Sequence, residues 1–238
     1  MRTRERPASA RHVAATTAVI GPWLALSEAR TAGVTLFERR PPLHSIVLGE
    51  GRLERDGSTR AFVAPIAVPA GARHRVELHS AFGCVAYLDP RRYDFAEVAR
   101  LAERWRGFVP GRDDLREAFG DALRAERRRV DPRLLRAIDA MEHADADVVS
   151  AAARAGLSES RLAHLMTREL GPPPVAYRTW FKLRRAIEGA LVAGLDLTEA
   201  AHAAGFADSA HLSRTCKHLL GVAPAAMLPP TVHRFDEE

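Results

Sequence analysis

The chain has 238 residues, two cysteines and a formal net charge of +5, from 35 Lys and Arg against 30 Asp and Glu. This length suits two domains, and the charge suits a polyanionic partner. Cys84 and Cys216 stand far apart in sequence, which argues against a disulfide and fits a reducing cytoplasm. The charged start, residues 1–11, is not followed by the long apolar core of a signal peptide, and no run of about 18 apolar residues follows. We therefore expect a cytoplasmic protein with no membrane partner.

Short β-type runs divided by turn signals fill the first third of the chain. The strands are predicted at 34–38, 44–50, 51–55, 61–68, 74–79 and 82–88. Asp56-Gly57 predicts a hairpin turn, and Pro69-Ala70-Gly71 predicts another. Several short strands at this spacing predict a small β-barrel or sandwich, which we assign to residues 1–92.

Two runs of this region resemble the motifs of cupin barrels. V-P-A-G-A-R-H, residues 68–74, is similar to the second cupin motif, and L-H-S-I-V-L-G-E-G, residues 43–51, looks like a degraded first motif. The resemblance implies a metal site only where three or four ligands converge. His44 and His74 are the only clear matches to the metal-ligating positions. His79 and Glu50 could serve as further ligands, but their spacing does not require it, so we expect no metal ion.

A small-molecule pocket at the mouth of the barrel is the alternative use of these residues. Such pockets combine apolar walls with a few polar groups. We expect the effector pocket to be lined by His44, His74, Phe62 and Tyr87. For each of them, ordinary packing in the barrel core is the competing interpretation.

Residues 93–130 are predicted to form a helical linker. Periodic apolar residues indicate one helix at 95–105 and another at 113–127, with a break at Val109-Pro110-Gly111. The apolar face of the second helix carries Leu115, Ala118, Phe119, Ala122 and Leu123. Such a face either pairs two subunits into a homodimer or packs back on the barrel, and the sequence leaves both open. Asp131 as N-cap and Pro132 at the first helical position mark the next boundary.

The last third of the chain carries one pattern twice, at residues 151–177 and 200–227. The matched positions are Gly156 and Gly205, Leu162 and Leu212, Leu170-Gly171 and Leu220-Gly221, and Pro174 and Pro224. The second copy has one extra residue between its first glycine and the leucine of its second helix. Each copy predicts a short helix, a glycine turn and a longer helix, which is a helix-turn-helix unit.

Local chemistry supports both units. In the first, Gly156 ends the short helix, Leu157 fills the corner and Ser158 caps the next helix. Its inward stripe is Leu162, Leu165, Met166 and Leu170. In the second, the same roles fall to Gly205, Phe206 and Asp208, with Thr198 predicted as the N-cap of the short helix. The second stripe is Leu212, Cys216, Leu219 and Leu220, and a long helix at 175–193 would join the two units.

Residues 131–230 resemble the DNA-binding domain of the AraC/XylS family of bacterial transcription regulators. The most specific stretch is L-T-E-A-A-H-A-A-G-F-A-D-S-A-H-L, residues 197–212. The resemblance implies seven helices, a double-stranded promoter DNA partner read in neighbouring major-groove segments, and RNA polymerase as a partner if the protein is an activator. It also makes a cupin-like sensor domain in front of this domain a common arrangement, and it implies a protein that is not an enzyme and needs no cofactor.

The resemblance also assigns roles to individual positions. The base-facing positions fall on Ser160, Arg161, His164, Ser209, Ala210, His211 and Arg214. The phosphate-contacting candidates are Arg168, Arg178, Lys182, Lys217 and His218. An arginine fork suits guanine, and cations at helix ends suit phosphates. A solvated surface charge is the competing interpretation for each arginine.

The fold class is thus predicted as multidomain α+β: a cupin-like barrel with flanking helices, then an all-α domain with two helix-turn-helix units joined by a long helix. We expect a cytoplasmic, nucleoid-associated transcription regulator that responds to a small-molecule effector. Two alternatives remain open. One is a cupin-type metalloenzyme with a helical assembly module. The other is a DNA-binding protein of low specificity, because Ser160, Ser209 and Ala210 are small.

Overall fold

The computed structural model describes residues 14–20, 24–30, 35–110, 112–124, 128–143, 146–227 and 231–234. The charged start of the chain, residues 1–11, lies outside this part. The strands are β1 Ala14–Ile20, β2 Leu24–Arg30, β3 Thr35–Arg39, β4 His44–Leu48, β5 Gly51–Arg55, β6 Ser58–Phe62, β7 Ile66–Val68, β8 His74–Leu78, β9 Phe82–Leu88 and β10 Thr231–Arg234. The helices are α1 Phe95–Arg104, α2 Leu115–Leu123, α3 Pro132–His143, α4 Val148–Arg154, α5 Glu159–Leu170, α6 Pro174–Val192, α7 Leu197–Ala203, α8 Ser209–Leu220 and α9 Pro224–Met227.

The strands form two sheets. One has the order β10-β1-β2-β9-β4-β7, and the other has the order β3-β8-β5-β6. The expected hairpin turn at Asp56-Gly57 joins β5 to β6, and both residues have positive φ, 53° and 74°. Because a hairpin turn of this kind needs left-handed backbone at both central positions, Asp-Gly was an informative signal.

The expectation of a barrel is corrected to an open two-sheet sandwich within the described residues. The single strand predicted at 61–68 is two strands, and they belong to different sheets: β6 pairs with β5, whereas β7 pairs with β4. Pro65 lies between them and has no N–H to donate, so the run is interrupted there. Among the described strands, those of the two sheets are therefore not hydrogen-bonded to each other into a closed barrel. The sheets pack face to face through an apolar cluster that includes Val47, Val76 and Leu78.

The helices α1 and α2 cover the opposite face of the first sheet. Ile46, Leu48 and Leu88 of this sheet pack against Val98 and Leu101 of α1. Three residues of the apolar face of α2, Leu115, Ala118 and Ala122, are buried in the same cluster. Within a single chain, α2 therefore uses this face to pack back on the sheet. We call β1–β9 with α1 and α2 the N-terminal domain.

The helices α3–α9 form the C-terminal domain, and these seven helices of its described residues match the number that the family resemblance implies. Its apolar core is centred on Leu134, Ile138, Leu162, Phe181 and Leu212. In the described part of the chain, no helix combines the length and apolarity needed to cross a membrane. Cys84 and Cys216 are buried free thiols in different domains, in agreement with the prediction that they do not form a disulfide.

The two domains are packed together. Leu43 and Tyr87 of the N-terminal domain lie in the same apolar cluster as Leu170 and Tyr177 of the C-terminal domain. The last strand, β10, returns to the N-terminal domain and pairs in parallel with β1 at the edge of the first sheet. The C-terminal domain is therefore held to the N-terminal domain by apolar packing in its middle and by strand pairing beyond its last helix.

Candidate nucleic-acid interface

The two helix-turn-helix units are α4–α5 and α7–α8. Each first helix has 7 residues and each second helix has 12, so the units are equal in helix length. The turn between helices spans residues 155–158 in the first unit and 204–208 in the second. The extra residue predicted from the repeat therefore lies in the second turn, between Phe206 and the cap Asp208, and is Ala207.

The first turn follows the predicted chemistry. Gly156 has φ +67°, and the N–H of Leu157 reaches back to the carbonyl of Ala152 at 2.9 Å. This bond closes the C-terminus of α4 and places Leu157 against the core. Ser158 Oγ then accepts from the N–H of Arg161 at 3.2 Å and caps α5.

The second turn repeats this geometry, except that the next helix is capped by an aspartate and not by a serine. Gly205 has φ +79°, and the N–H of Phe206 donates to the carbonyl of Ala201 at 2.9 Å. Asp208 Oδ1 accepts from the N–H of His211 at 2.6 Å and caps α8. That N–H and the nearby Arg214 lower the pKa of Asp208, which keeps the cap anionic.

The prediction of Thr198 as the N-cap of α7 is wrong. Asp196 is the cap, and its side chain accepts from the N–H groups of Thr198 and Glu199 at 2.7 and 2.9 Å. Glu199 completes a capping box by accepting from the N–H of Asp196 at 3.0 Å. Aspartate three residues before glutamate is the sequence signal for this motif, and it favoured Asp196.

The inward stripes of both second helices are buried as predicted. They are Leu162, Leu165, Met166 and Leu170 in α5, and Leu212, Cys216, Leu219 and Leu220 in α8. Burial raises the pKa of the Cys216 thiol to about 12, so it stays protonated and behaves as a small apolar side chain. Each of these two helices therefore has one face buried in the core and an opposite face exposed to solvent.

The predicted base-facing residues lie on those other faces. Six of the seven are exposed and Ser209 is half-buried. Arg161, His164 and Arg168 recur at the three- and four-residue spacing that places them on one side of α5. The ring of His211 packs edge-on against Phe206 with 5.2 Å between centroids, so the turn also supports this side chain.

The predicted phosphate contacts have different surroundings. Lys217 and His218 are exposed at the C-terminal end of α8, and Arg178 is half-buried on α6. Arg168 pairs with Glu169 at 2.9 Å. Lys182 Nζ donates to the carbonyl of Gly205 at 3.2 Å, so its ammonium group supports the second turn from the linking helix. No local sequence pattern predicts this contact, because it joins different helices.

The structure does not gather the four predicted pocket residues around one cavity. His44 lies on the face of the first sheet that α1 covers, with its ring 5.6 Å from that of Phe95. Tyr87 belongs to the opposite face, since it alternates with Ala86 and Leu88 of the covered face and packs in the cluster shared by the two domains. Phe62 lies in the cluster between the sheets.

His44 has a structural role. Its Nδ1 accepts from the N–H of Ala70 at 2.9 Å, and burial lowers the pKa of its imidazole to about 4. His74 contacts the carbonyl of Ala72 through Nδ1 at 2.9 Å. Within the described residues, no three His, Cys, Asp or Glu side chains are grouped in a way that could hold a metal ion.

A cleft of about 430 Å³ is present on the second sheet at the β5–β6 turn. His74 lines it together with charged neighbours, which are Glu54, Arg55, Asp56, Arg73 and Arg75. Arg55 pairs with Asp56 at 3.0 Å and Arg75 with Glu54 at 3.5 Å. The walls are therefore more polar than the aromatic pocket that the sequence suggested.

The sequence of residues 151–228 matches a helix-turn-helix domain family. No protein with a curated description matches the chain. A transcriptional regulator from Chromobacterium violaceum, one of the AraC-type DNA-binding domain-containing proteins, is 26% identical over 39% of this chain and 86% of that chain, with a TM-score of 0.37.

Similarity over most of the chain is found with ToxT of Vibrio cholerae. ToxT of strain O395, bound to (E)-4-(8-methylnaphthalen-1-yl)but-3-enoic acid, is 11% identical, with a TM-score of 0.56, over 87% of this chain and 98% of that chain. ToxT of strain SCE256, bound to an unsaturated fatty acid, is 10% identical, with a TM-score of 0.52, over 90% and 97%. The shared feature is the fold: antiparallel sheets followed by a helical domain.

Proposed function

We propose that this chain, whose residues 151–228 form an AraC-type helix-turn-helix domain, is a transcription regulator that binds promoter DNA in a sequence-specific manner. The observation that carries the proposal is the pair of equal helix-turn-helix units, each with a polar exposed face opposite its buried stripe. An α-helix with such a face fits the major groove, and we call α5 and α8 the recognition helices.

Arg161 and Arg214 are the residues that we expect to discriminate between bases. Both are exposed: Arg161 is in the first turn of α5, and Arg214 lies about one turn further along α8, at the sixth of its twelve residues. Ser160, Ser209 and Ala210 offer few hydrogen bonds, so arginine contacts and the shape of the duplex would carry most of the specificity. We expect Lys217 and His218, which are exposed near the C-terminal end of α8, to contact phosphates.

The N-terminal domain is proposed to bind a small-molecule effector. The support is the two-domain fold shared with ToxT, two of whose structures hold a carboxylic acid, and the contact between the two domains of this chain. An effector that favours one arrangement of the domains would change the affinity for DNA by its differential binding to the two arrangements.

The test is DNA binding by the purified chain to sites selected from a randomised duplex library and to random DNA. Arg214→Ala should weaken binding to the selected site by about 1–3 kcal/mol and leave binding to random DNA nearly unchanged. Arg106→Ala is the matched control, because Arg106 is an exposed arginine of the N-terminal domain. Equal affinity for selected and random DNA in the wild type would contradict a sequence-specific regulator.

A further inference from the structure

The C-terminal ends of both recognition helices touch the N-terminal domain. Gly171 follows the last residue of α5, and an added Cβ there would lie 2.9 Å from the carbonyl oxygen of Ala70. Near the end of α8, the carbonyl of His218 accepts from the N–H of Arg40 at 3.2 Å. Two separate loops, one before β4 and one before β8, therefore meet the two helices.

Arg40 joins these two loops. Its Nε donates to the carbonyl of Gly71 at 2.8 Å, and the N–H of Gly71 donates to the carbonyl of Pro41 at 2.8 Å. Gly71 also faces Gly171, since a Cβ on Gly71 would lie 3.6 Å from the Gly171 carbonyl. One residue thus contacts α8 through its main chain and fixes, through its side chain, the loop that meets α5.

We propose that Arg40 is a positioning residue that sets the register between the two recognition helices. Within the C-terminal domain, α6 links the two units along the chain. The contacts of Arg40 and Gly71 add a second connection between the two units. This connection runs through the N-terminal domain and meets both recognition helices at their C-terminal ends. This inference rests on the proposed DNA-binding function.

Register between the helices has a measurable consequence on DNA. One inserted base pair between two half-sites rotates the second by about 34° and moves it by about 3.4 Å along the axis. A protein with a fixed distance between its recognition helices loses affinity on such a site. A protein whose units move independently tolerates the insertion.

The experiment compares Arg40→Met with Arg40→Gln in the full chain. Both remove the charge, but the Gln side-chain nitrogen is attached at the same position as Arg Nε and can still donate to the Gly71 carbonyl. The DNA is the site selected by the wild type, with and without one base pair inserted between its half-sites. We expect the insertion to cost the wild type and Arg40→Gln about tenfold in affinity, and Arg40→Met about threefold or less.

A second variant tests the same bridge from the other side. Gly171→Ala adds a methyl group against Ala70 at a glycine with φ +95°, and it should also reduce the insertion penalty. Gly57→Ala is the matched control, because Gly57 also has positive φ but lies in the β5–β6 turn, where an added Cβ would meet no atom within 4 Å. The control separates backbone strain from loss of the contact between domains.

Each result decides the inference. An insertion penalty in Arg40→Met equal to that of the wild type overturns it. Equal losses in Arg40→Met and Arg40→Gln, with a shallower salt dependence, also overturn it, because Arg40 would then act as a phosphate contact. A selected site with a single half-site overturns the inference but leaves the proposed function standing. Selection of no sequence at all overturns the proposed function and the inference together.

Discussion

Arg91 of the N-terminal domain and Glu142 at the end of α3 form a buried ion pair between the domains, with Nη1 and Oε2 2.6 Å apart. Asp89 holds the other side of the same guanidinium at 2.7 Å, and Arg184 of α6 pairs with Glu142 at 2.7 Å. Burial alone would raise the pKa of Glu142, but Arg91 and Arg184 outweigh it, and the pKa is lowered. Two positive and two negative groups therefore compensate each other where water is largely excluded.

Replacing Arg91 with Met should destabilise the folded chain. The substitution leaves Asp89 buried without its guanidinium partner, and breaking buried pairs of this kind costs about 3–5 kcal/mol. We expect the free energy of unfolding in urea to fall by about 3 kcal/mol. Arg106→Met, at an exposed pair with Glu103, should leave it unchanged. If the midpoint of urea unfolding were the same for Arg91→Met and the wild type, the ion pair would contribute no net stability.

His44 should make the folded state less stable in acid. Its pKa is about 4 in the folded chain and about 6.5 when exposed, because burial disfavours the charged ring. Between these values the unfolded chain binds more protons, so the contribution is full above pH 6.5 and is lost as the pH falls toward 4. The total is about 3 kcal/mol.

The measurement is the urea-unfolding free energy at several pH values for the wild type and His44→Asn. Asn Oδ1 can take over the hydrogen bond from the N–H of Ala70, but it does not titrate. The variant curve should be flatter than the wild-type curve between pH 6.5 and 4. His164→Asn, which removes an exposed histidine of α5, is the matched control. Parallel curves for wild type and His44→Asn would show that His44 does not contribute.

The helix-turn-helix units were predictable from sequence because their determinants are local. Gly156 and Gly205 adopt positive φ as the helix stops require, and Ser158 and Asp208 cap the following helices as predicted. The extra residue of the second copy, predicted between Gly205 and Leu212, lies in the turn. Thr198 was misassigned because two cap-forming residues stand two positions apart, and the reciprocal bond of Glu199 decides between them.

Features that depend on distant parts of the chain were not predictable. The strand β2 has no β-branched or aromatic residue, so its pairing with β1 and β9 defines it. The strand β10 is defined by its pairing with β1, which lies near the opposite end of the sequence. Arg40 and Lys182 likewise acquire their contacts from residues that only the fold brings near, so no spacing rule identifies them.

Lys182 should act as a support of the second turn and not as a phosphate contact. Its ammonium group is directed to the Gly205 carbonyl, at the end of a short helix where a cation is favoured. Lys182→Met should therefore leave the slope of DNA affinity against salt concentration unchanged. Lys217→Met, at an exposed position of α8, should reduce that slope by about one. A similar reduction in Lys182→Met would restore the phosphate role that the sequence suggested.

The strand β10 should stabilise the contact between the domains. It pairs with β1 at four positions from Thr17–Thr231 to Ile20–Arg234, and a chain that ends at Met227 would leave β1 as an open sheet edge. We expect the shortened chain to unfold at a midpoint lower by several degrees, since about 1 kcal/mol corresponds to 2–4 °C at this size. It should also associate more readily at high concentration, because the unpaired edge offers N–H and C=O groups to another molecule. Thermal unfolding and sedimentation of both chains measure the two effects. A midpoint and a sedimentation profile equal to those of the full chain would show that β10 adds no stability.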